Sequence, residues 1–339
     1  MSGLGARTLD WLDDAVVMVD QTRLPGSFDV IRIETVPDLV EAIRRLSVRG
    51  APAIGVAGAF GVALAARIHG VGNAAFDEAV QMVRAARPTA VNLARMVDRV
   101  AAIAGRGPDA VLLEALTVRD EELAASVAMG DRGAALVVEL CGHGKPIRSL
   151  TICNTGGLAS VERGTALAVV QALHERAALE EAIVLETRPL LQGARLTTWE
   201  LQRMGAPHRL VVDAAGPYLL SKGVADVVLT GADRIAANGD TANKIGTFSL
   251  ALAARHAAVP FIVVAPESTV DMATSLGEDI DIEYRDADEV VSFGGSRVAP
   301  EGTEVINPAF DVTPTGLITA IVTEKRIVRL DRGEVLGSA

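Results

Sequence analysis

Aromatic residues make up only 3% of this 339-residue chain, with two tryptophans and two tyrosines. Its cores must therefore be built from Ala, Val, Leu and Ile, a palette that suits parallel strands buried under helices. There are two cysteines, Cys141 and Cys153, too few for a disulfide framework. Lys and Arg number 32 against 43 Asp and Glu, a formal net charge of −11. That balance argues against non-specific binding to nucleic acid or to an acidic membrane. The longest apolar run, Ala51 to Ala66, is broken by Pro52 and by glycines. It falls short of the roughly 20 residues a bilayer needs, and reads as a buried helix. Asp10, Asp13 and Asp14 stand where a leader would be basic and then apolar, so the expected compartment is the cytoplasm. Histidines are scattered, and Cys141, His143 and Cys153 match no recurrent zinc spacing, so no metal is expected.

Half of the residues are hydrophobic and the mean hydropathy is +0.32, which argues for sizeable cores rather than disorder. Two strand-like stretches come first, Ala15 to Val19 and Phe28 to Glu34. From about Val36 to Leu140 the apolar spacing is helical, as in "VPDLVEAIRRL" and "AVNLARMVDRVAAIA". Gly142, Gly144 and Pro146 then supply a hinge. Beyond it, "SLTIC", "EAIVLE", "RLVVD", "DVVLTGAD" and "PFIVVAP" alternate with helical stretches, the pattern of a doubly wound parallel sheet. The expected fold is α/β. A small, mostly helical N-terminal domain with a short β-sheet (1–143) precedes a doubly wound C-terminal domain (144–339).

Ligands of such sheets sit beyond the carboxyl ends of the strands, which singles out Cys153, Glu186, Asp213, Asp233 and Pro266. Cys153 opens "CNTGG", expected to turn straight into a helix from Leu158 whose first N–H groups could hold an anion or oxyanion. The plain alternative is a buried cysteine acting as a small hydrophobe. Asp233 opens "DRIAANGDTANK", and its plain role would be to cap the next turn. The apolar "VADVVLTGA" before it would instead desolvate the carboxyl. Raising its pKa from about 3.9 to near 7 takes roughly 4 kcal/mol, within reach of burial, and makes a general acid. Asp213 and Asp240 lack that lead-in and rank lower.

For anion capture, Arg49 and Gly50 precede Ala51 and Pro52 in "VRGAPAIG", where proline in a first helical turn suits a phosphate site. Arg87 ahead of Pro88 repeats the arrangement, and Lys244 and Gln192 are further candidates. Any one of these cations alone would usually be a solvated surface charge. A nicotinamide cofactor is poorly supported: G-x-G-x-x-G is absent, and Glu186 lies about 30 residues beyond the glycines rather than about 20.

"VRGAPAIG", "RPTAVNL", "ICNTGGLA", "ETRPLLQGARLTTWEL", "GADRIAANGDTANKIGT" and "NPAFDVTP", spread in order over residues 49–314, together resemble the methylthioribose-1-phosphate isomerases of methionine salvage. Their superfamily includes ribose-1,5-bisphosphate isomerases and regulatory subunits of initiation factor 2B. The resemblance implies a Rossmann-like C-terminal catalytic domain, a homodimer, Cys153 as catalytic cysteine and Asp233 as proton donor. It places Arg49, Gly50, Ala51, Arg87, Gln192, Asn243 and Lys244 at the substrate. The expected reaction is aldose–ketose isomerisation of 5-methylthioribose 1-phosphate, a small sugar phosphate, without cofactor. Leu185 before Glu186-Thr187, Gly157, Tyr284 and "VVDAAGPYLL" depart from the family pattern and leave the 5-substituent open. Alternatives are 5-deoxyribose 1-phosphate, ribose 1,5-bisphosphate, or a non-catalytic regulatory subunit that binds sugar or nucleotide phosphates.

Overall fold

The computed structural model describes residues 7–88, 90–142 and 144–337. An antiparallel sheet opens the chain: β1 (Leu9–Leu12), β2 (Ala15–Val19) and β3 (Val30–Ile33). β1 was not expected, because Asp10 and exposed Leu12 leave a four-residue edge strand without apolar alternation. Four helices follow: α1 (Val36–Arg44), α2 (Ala51–His69), α3 (Ala74–Arg84) and α4 (Val91–Ala101). α1 starts where Thr35 accepts the N–H of Asp38 at 3.3 Å, and α3 where Asn73 accepts that of Phe76 at 3.1 Å, the usual N-cap bond. In α2 every residue from Ala51 to Ala66 is buried. α2 runs 19 residues, long and apolar enough by length and composition to cross a membrane, but here its apolar surface is covered by protein. Glycines permit that packing: a Cβ at Gly58 would lie 2.6 Å from Leu93 Cδ1 of α4.

Helix α5 (Pro108–Val137) belongs to both halves. Val111, Ala115 and Val118 pack in the N-terminal core, while Ala125, Met129, Ala134 and Val137 pack in the next one. Its Gly133 lets it cross close to the following helix, since a Cβ there would lie 2.4 Å from Val169 Cγ2.

After the hinge come β4 (Ile147–Thr151), α6 (Ala166–Glu175), β5 (Leu179–Leu185), α7 (Thr198–Arg203), β6 (His208–Val211), α8 (Ala215–Ser221) and β7 (Val227–Thr230). β8 (Arg234–Ala236), β9 (Thr241–Lys244), α9 (Thr247–His256), β10 (Phe261–Val264) and β11 (Val270–Asp271) continue the chain. α10 (Asp288–Val291) leads into a hairpin of β12 (Ser292–Phe293) and β13 (Ser296–Arg297). The last strands are β14 (Phe310–Thr313), β15 (Ala320–Val322) and β16 (Ile327–Val328). Seven strands form the main sheet in the order β16-β15-β10-β7-β4-β5-β6, parallel except for β16. Alternate residues feed opposite cores: Val227, Leu229 and Ile262 face one, Val228, Phe261 and Val263 the other. Both cores being closed explains the near-continuous apolar runs read in the sequence.

From β4 the chain moves to β5 on one side and later returns to β7 on the other. The crevice between β4 and β7 is thus the topological switch point of the sheet, where doubly wound folds bind ligands. A second sheet, β11-β8-β9-β14, stands over this edge. The N-terminal part reaches across as well. Arg195 Nη2 donates to the carbonyls of Gln21 and Leu24 at 2.9 and 3.0 Å, and Phe28 stacks on Trp199 of α7 at 5.6 Å.

Candidate active site

A cavity of about 750 Å³, counting its mouth, opens beyond the ends of β4 and β7. Cys153 and Asp233, which follow those two strands, both line it, and so do Arg49, Gly50, Ala51, Arg87, Gln192, Asn243 and Lys244. Residues far apart in the chain are thereby brought to one wall. Gly50 makes the closure possible. Its φ is +92°, and a Cβ there would lie 2.6 Å from the Ala159 carbonyl oxygen, so only glycine brings the start of α2 against the "CNTGG" loop.

Cys153 is buried and has φ +64°, a left-handed conformation rare for a side chain of its kind. Two hydroxyls hold it there. Thr187 Oγ1 accepts the Cys153 N–H at 2.8 Å, and Thr197 Oγ1 donates to its carbonyl at 2.7 Å. Strain of this sort persists where surrounding structure enforces it, and it concentrates at functional sites. A core cysteine acting only as a small hydrophobe has no need of it.

The helix expected from Leu158 starts instead at Ala166. Gly164, at φ +86°, folds the loop back on residues 155–156, and Thr155 then caps α6 by accepting the Leu167 N–H at 3.2 Å. The Leu158 N–H donates to Glu200 Oε1 at 3.0 Å, so it points away from any bound anion. The α4 start differs as well: it lies at Val91, leaving Pro88 ahead of the helix rather than in its first turn. The helix start after Arg49 is as read, with Gly50 as N-cap and Pro52 in the first turn of α2.

Asp233 borders the cavity with part of its surface open to it and protein on the other sides. Burial pushes its carboxyl above the ordinary range, against the pull of Lys244, Arg87 and Arg49. Asp213 and Asp240 are structural. Asp213 accepts the N–H groups of Thr187 and Arg188, both at 2.7 Å. Asp240 accepts those of Gly277 and Thr315 at 3.0 and 2.8 Å.

The cations divide into two kinds. Arg87 and Arg285 reach the cavity already paired, Arg87 with Glu283 at 2.7 Å and Arg285 with Glu283 and Glu289. Arg49 and Lys244 are buried and bonded to neutral groups. Arg49 donates to the Asn154 carbonyl at 3.1 Å and to Asn154 Oδ1. Lys244 Nζ donates to the Ala309 carbonyl at 2.9 Å and lies 4.4 Å from the Phe310 ring centroid. Burial lowers the pKa of both, opposed by Cys153 and Asp233. Asn243 Nδ2 donates to Thr247 at 2.9 Å. Two buried polar atoms on the wall, Arg49 Nε and Gln192 Oε1, have no partner, an expensive state unless a ligand supplies one. One asks for an acceptor and the other for a donor.

Next to Asp233 and Arg87 the cavity continues into an annex lined mainly by Ile54, Val91, Ala242, Ile280, Ile282 and Phe310, with the charged Arg234 and Asp281 also on its wall. No pattern in the residue order announces it, because its walls come from separate helices and loops. Asn154, Ser160, Arg285 and Phe310 also line the main cavity and were not singled out, although Asn154 in "ICNTGGLA" and Phe310 in "NPAFDVTP" lay inside motifs that could have flagged them. Among the described residues no cluster of His, Cys, Asp and Glu could hold a metal ion.

Comparison with known proteins gives this site a context. The model of the initiation factor 2 subunit family matches residues 47–329. A probable bifunctional methylthioribose-1-phosphate isomerase/methylthioribulose-1-phosphate dehydratase of Nocardia farcinica is 52% identical over 95% of this chain, which spans 59% of that longer protein. A methylthioribose-1-phosphate isomerase of Xanthomonas oryzae pv. oryzae is 48% identical over 95% of this chain and 92% of its own length. The crystal structure of 5-methylthioribose 1-phosphate isomerase from Pyrococcus horikoshii superposes with a TM-score of 0.87 at 39% identity, covering 96% of this chain and 92% of that one. The chain belongs to the initiation factor 2 subunit family and, within it, to the methylthioribose-1-phosphate isomerases.

Proposed function

We propose that this protein is an aldose–ketose isomerase that converts 5-methylthioribose 1-phosphate to 5-methylthioribulose 1-phosphate, a step of methionine salvage. The observation that carries the reading is one cavity at the switch point. It holds a thiol on a left-handed backbone and a carboxyl of raised pKa beside two buried cations that are bonded to neutral groups. The substrate's phosphate sits on the anomeric oxygen, so the ring cannot open to a free aldehyde. Asp233 donates its proton to the ring oxygen, and the C1–ring-oxygen bond breaks with its electrons on that oxygen. The hydrogen at C2 then reaches C1 by one of two routes. It moves as a direct hydride shift, or as a proton carried by the Cys153 thiolate. In both, the C2 hydroxyl loses its proton as the ketone forms and Asp233 is reprotonated. Arg49, Lys244 and the start of α2 hold the phosphate, with Gly50, Ala51, Arg87, Gln192 and Asn243 around the sugar.

The annex supports the methylthio group at C5. C4 carries both the ring oxygen and C5, so whatever C5 bears starts near Asp233, where the isoleucine-walled part of the annex opens. A 5-methyl group would fit it less fully. A second phosphate would meet Ile54, Ile280, Ile282 and the acidic Asp281, with Arg87 already paired to Glu283 and Arg234 beside Asp271 at 3.9 Å. The deciding experiment incubates the purified protein with 5-methylthioribose 1-phosphate and follows the ketose by NMR, alongside 5-deoxyribose 1-phosphate and ribose 1,5-bisphosphate. Binding without turnover of any of them would favour a regulatory subunit instead. The same reading takes residues 1–143 as an N-terminal strand-plus-helix domain, residues 144–339 as the catalytic domain, and the protein as a cytoplasmic homodimer. Exposed Leu210, Val212, Tyr218 and Leu252 on the catalytic domain suit a subunit contact, and a concentration-independent monomer in sedimentation would remove it.

A further inference from the structure

Beneath the "CNTGG" loop lies a carboxylate that touches neither reacting group. Glu200, on α7, is 3% exposed. Its Oε2 accepts Asn154 Nδ2 at 2.6 Å and its Oε1 accepts the Leu158 N–H at 3.0 Å. Burial pushes this carboxyl up to about 7, against the pull of those two donors and of Arg49. Gly156 makes room for it, since a Cβ there would lie 2.2 Å from Glu200 Oε2. Asn154 Nδ2 is thereby committed to Glu200, with Thr197 Oγ1 at 3.1 Å sharing it. Asn154 must therefore turn Oδ1 toward Arg49, which donates to that oxygen and to the Asn154 carbonyl. With Nη1 and Nη2 anchored in this way, the Nε donor is left buried and unpartnered in the cavity wall.

We propose that Glu200 is a positioning residue for substrate binding. By fixing the orientation of the Asn154 amide it aims the Arg49 guanidinium at the anionic group of the ligand. This rests on the sugar-phosphate reading of the cavity. An ionised carboxylate suits the position because both of its oxygens face donors. A glutamine of the same size would present an NH₂ to one of them. If it faces Asn154, that amide flips and sets its own NH₂ against Arg49, donor against donor.

The test is an exchange of the two side chains' chemistry, run at a pH of about 8, where the native carboxyl is mostly ionised. Glu200→Gln should raise KM for 5-methylthioribose 1-phosphate roughly 10- to 100-fold, the scale of a charge-assisted contact, with kcat within a few-fold. Asn154→Asp alone sets two carboxylates face to face and should be as bad or worse. Combining both substitutions restores the pairing. The carboxylate introduced at position 154 accepts from Arg49 and from the amide introduced at position 200, whose oxygen accepts the Leu158 N–H. KM of the double variant should return to within about tenfold of the wild type, a rescue that a merely structural Glu200 would not give. Melting temperatures and calorimetric titration with inorganic phosphate accompany all four proteins, so misfolding is recognised directly. A folded Glu200→Gln protein with unchanged KM and phosphate affinity overturns the proposal, as does a double variant no better than its parents. Failure of the wild type to bind the sugar phosphate overturns the functional reading instead.

Discussion

Replacing Asp233 by Asn removes one proton and almost nothing else. Burial holds the carboxyl above its usual range, so at pH values below that raised pKa the native group is neutral, as asparagine is. Neither shape nor net charge then changes, and the phosphate contacts proposed for Arg49 and Lys244 are untouched. Substrate affinity should stay within a few-fold. Turnover should not. Losing a positioned general acid lowers rate by about 10²–10⁴, or roughly 2.7–5.5 kcal/mol of barrier. The pH profile adds a second signature. Wild-type kcat should fall as pH rises through the raised pKa and the acid ionises, and the variant should lack that limb.

Stability should move the other way. The folded-state pKa of Asp233 lies above its unfolded value. The native protein therefore holds the proton more tightly, and stability is lost as pH rises from the unfolded pKa through the raised one. Asparagine has no such penalty, so the variant's melting temperature at neutral pH should equal or exceed that of the wild type. Steady-state kinetics, calorimetric binding and thermal melts on the same preparation report all three quantities. A folded, substrate-binding Asp233→Asn protein with near-normal turnover would falsify the assignment of the acid, and a large drop in melting temperature would point to a capping role.

Cys153→Ser, which puts a hydroxyl of much higher pKa in the same strained backbone, should cut turnover strongly, and single-turnover kinetics should place the loss after binding. Arg49→Lys removes the forked donors that grip Asn154 and should weaken substrate affinity about 10- to 150-fold by titration. Gly156→Ala drives a methyl to 2.2 Å from Glu200 Oε2 and 2.6 Å from Leu167 Cδ2, an overpacking worth about 1–3 kcal/mol and measurable by denaturant unfolding. Glu122, buried against Ser160 and Ser126 with its carboxyl pushed up to about 7 by burial, should destabilise the fold as pH climbs from about 4.5 to 7. Glu122→Gln should accordingly raise the melting temperature more at a pH of about 8 than at about 5.

What can be read from residue order is whatever depends on short range. Ala15–Val19 declares its strand by β-branched residues, Ala51–Ala66 its burial by unbroken apolarity, and the main-sheet strands announce themselves because both faces are covered. The small sheet escapes such a reading. β8 and β11 have three and two residues, too few for any periodicity, and they exist because β7 needs an exit that brings the chain back over the crevice. That also explains the polar stretch after β7: Arg234–Ala236 and Thr241–Lys244 form a hairpin that carries Lys244 back to Asp233. Gly164 in "ERGTAL" could have marked the late start of α6, but a glycine inside an apolar helical pattern reads equally well as a tolerated interruption.

The proposed site residues are legible in the sequence in proportion to how directly the functional reading puts them at the ligand. Cys153 and Asp233 sit at strand ends, and the sheet's topology alone selects such positions. Arg49 and Lys244 stand beside glycine or proline at element ends. Glu200 has no comparable signal: it occupies the polar side of "TTWELQR", where glutamate ordinarily faces water. Only the folded chain puts it under Gly156, with Asn154 and Leu158 consuming both of its oxygens. A buried carboxylate costs several kcal/mol to desolvate, a cost with no counterpart in local sequence. Its partners lie about 40 residues away in the chain, so the charge and the loop it orders must be chosen together. Substituting Gly156, Asn154 or Glu200 one at a time should therefore do more harm than changing matched pairs, and the Asn154–Glu200 exchange is where that coupling can be measured.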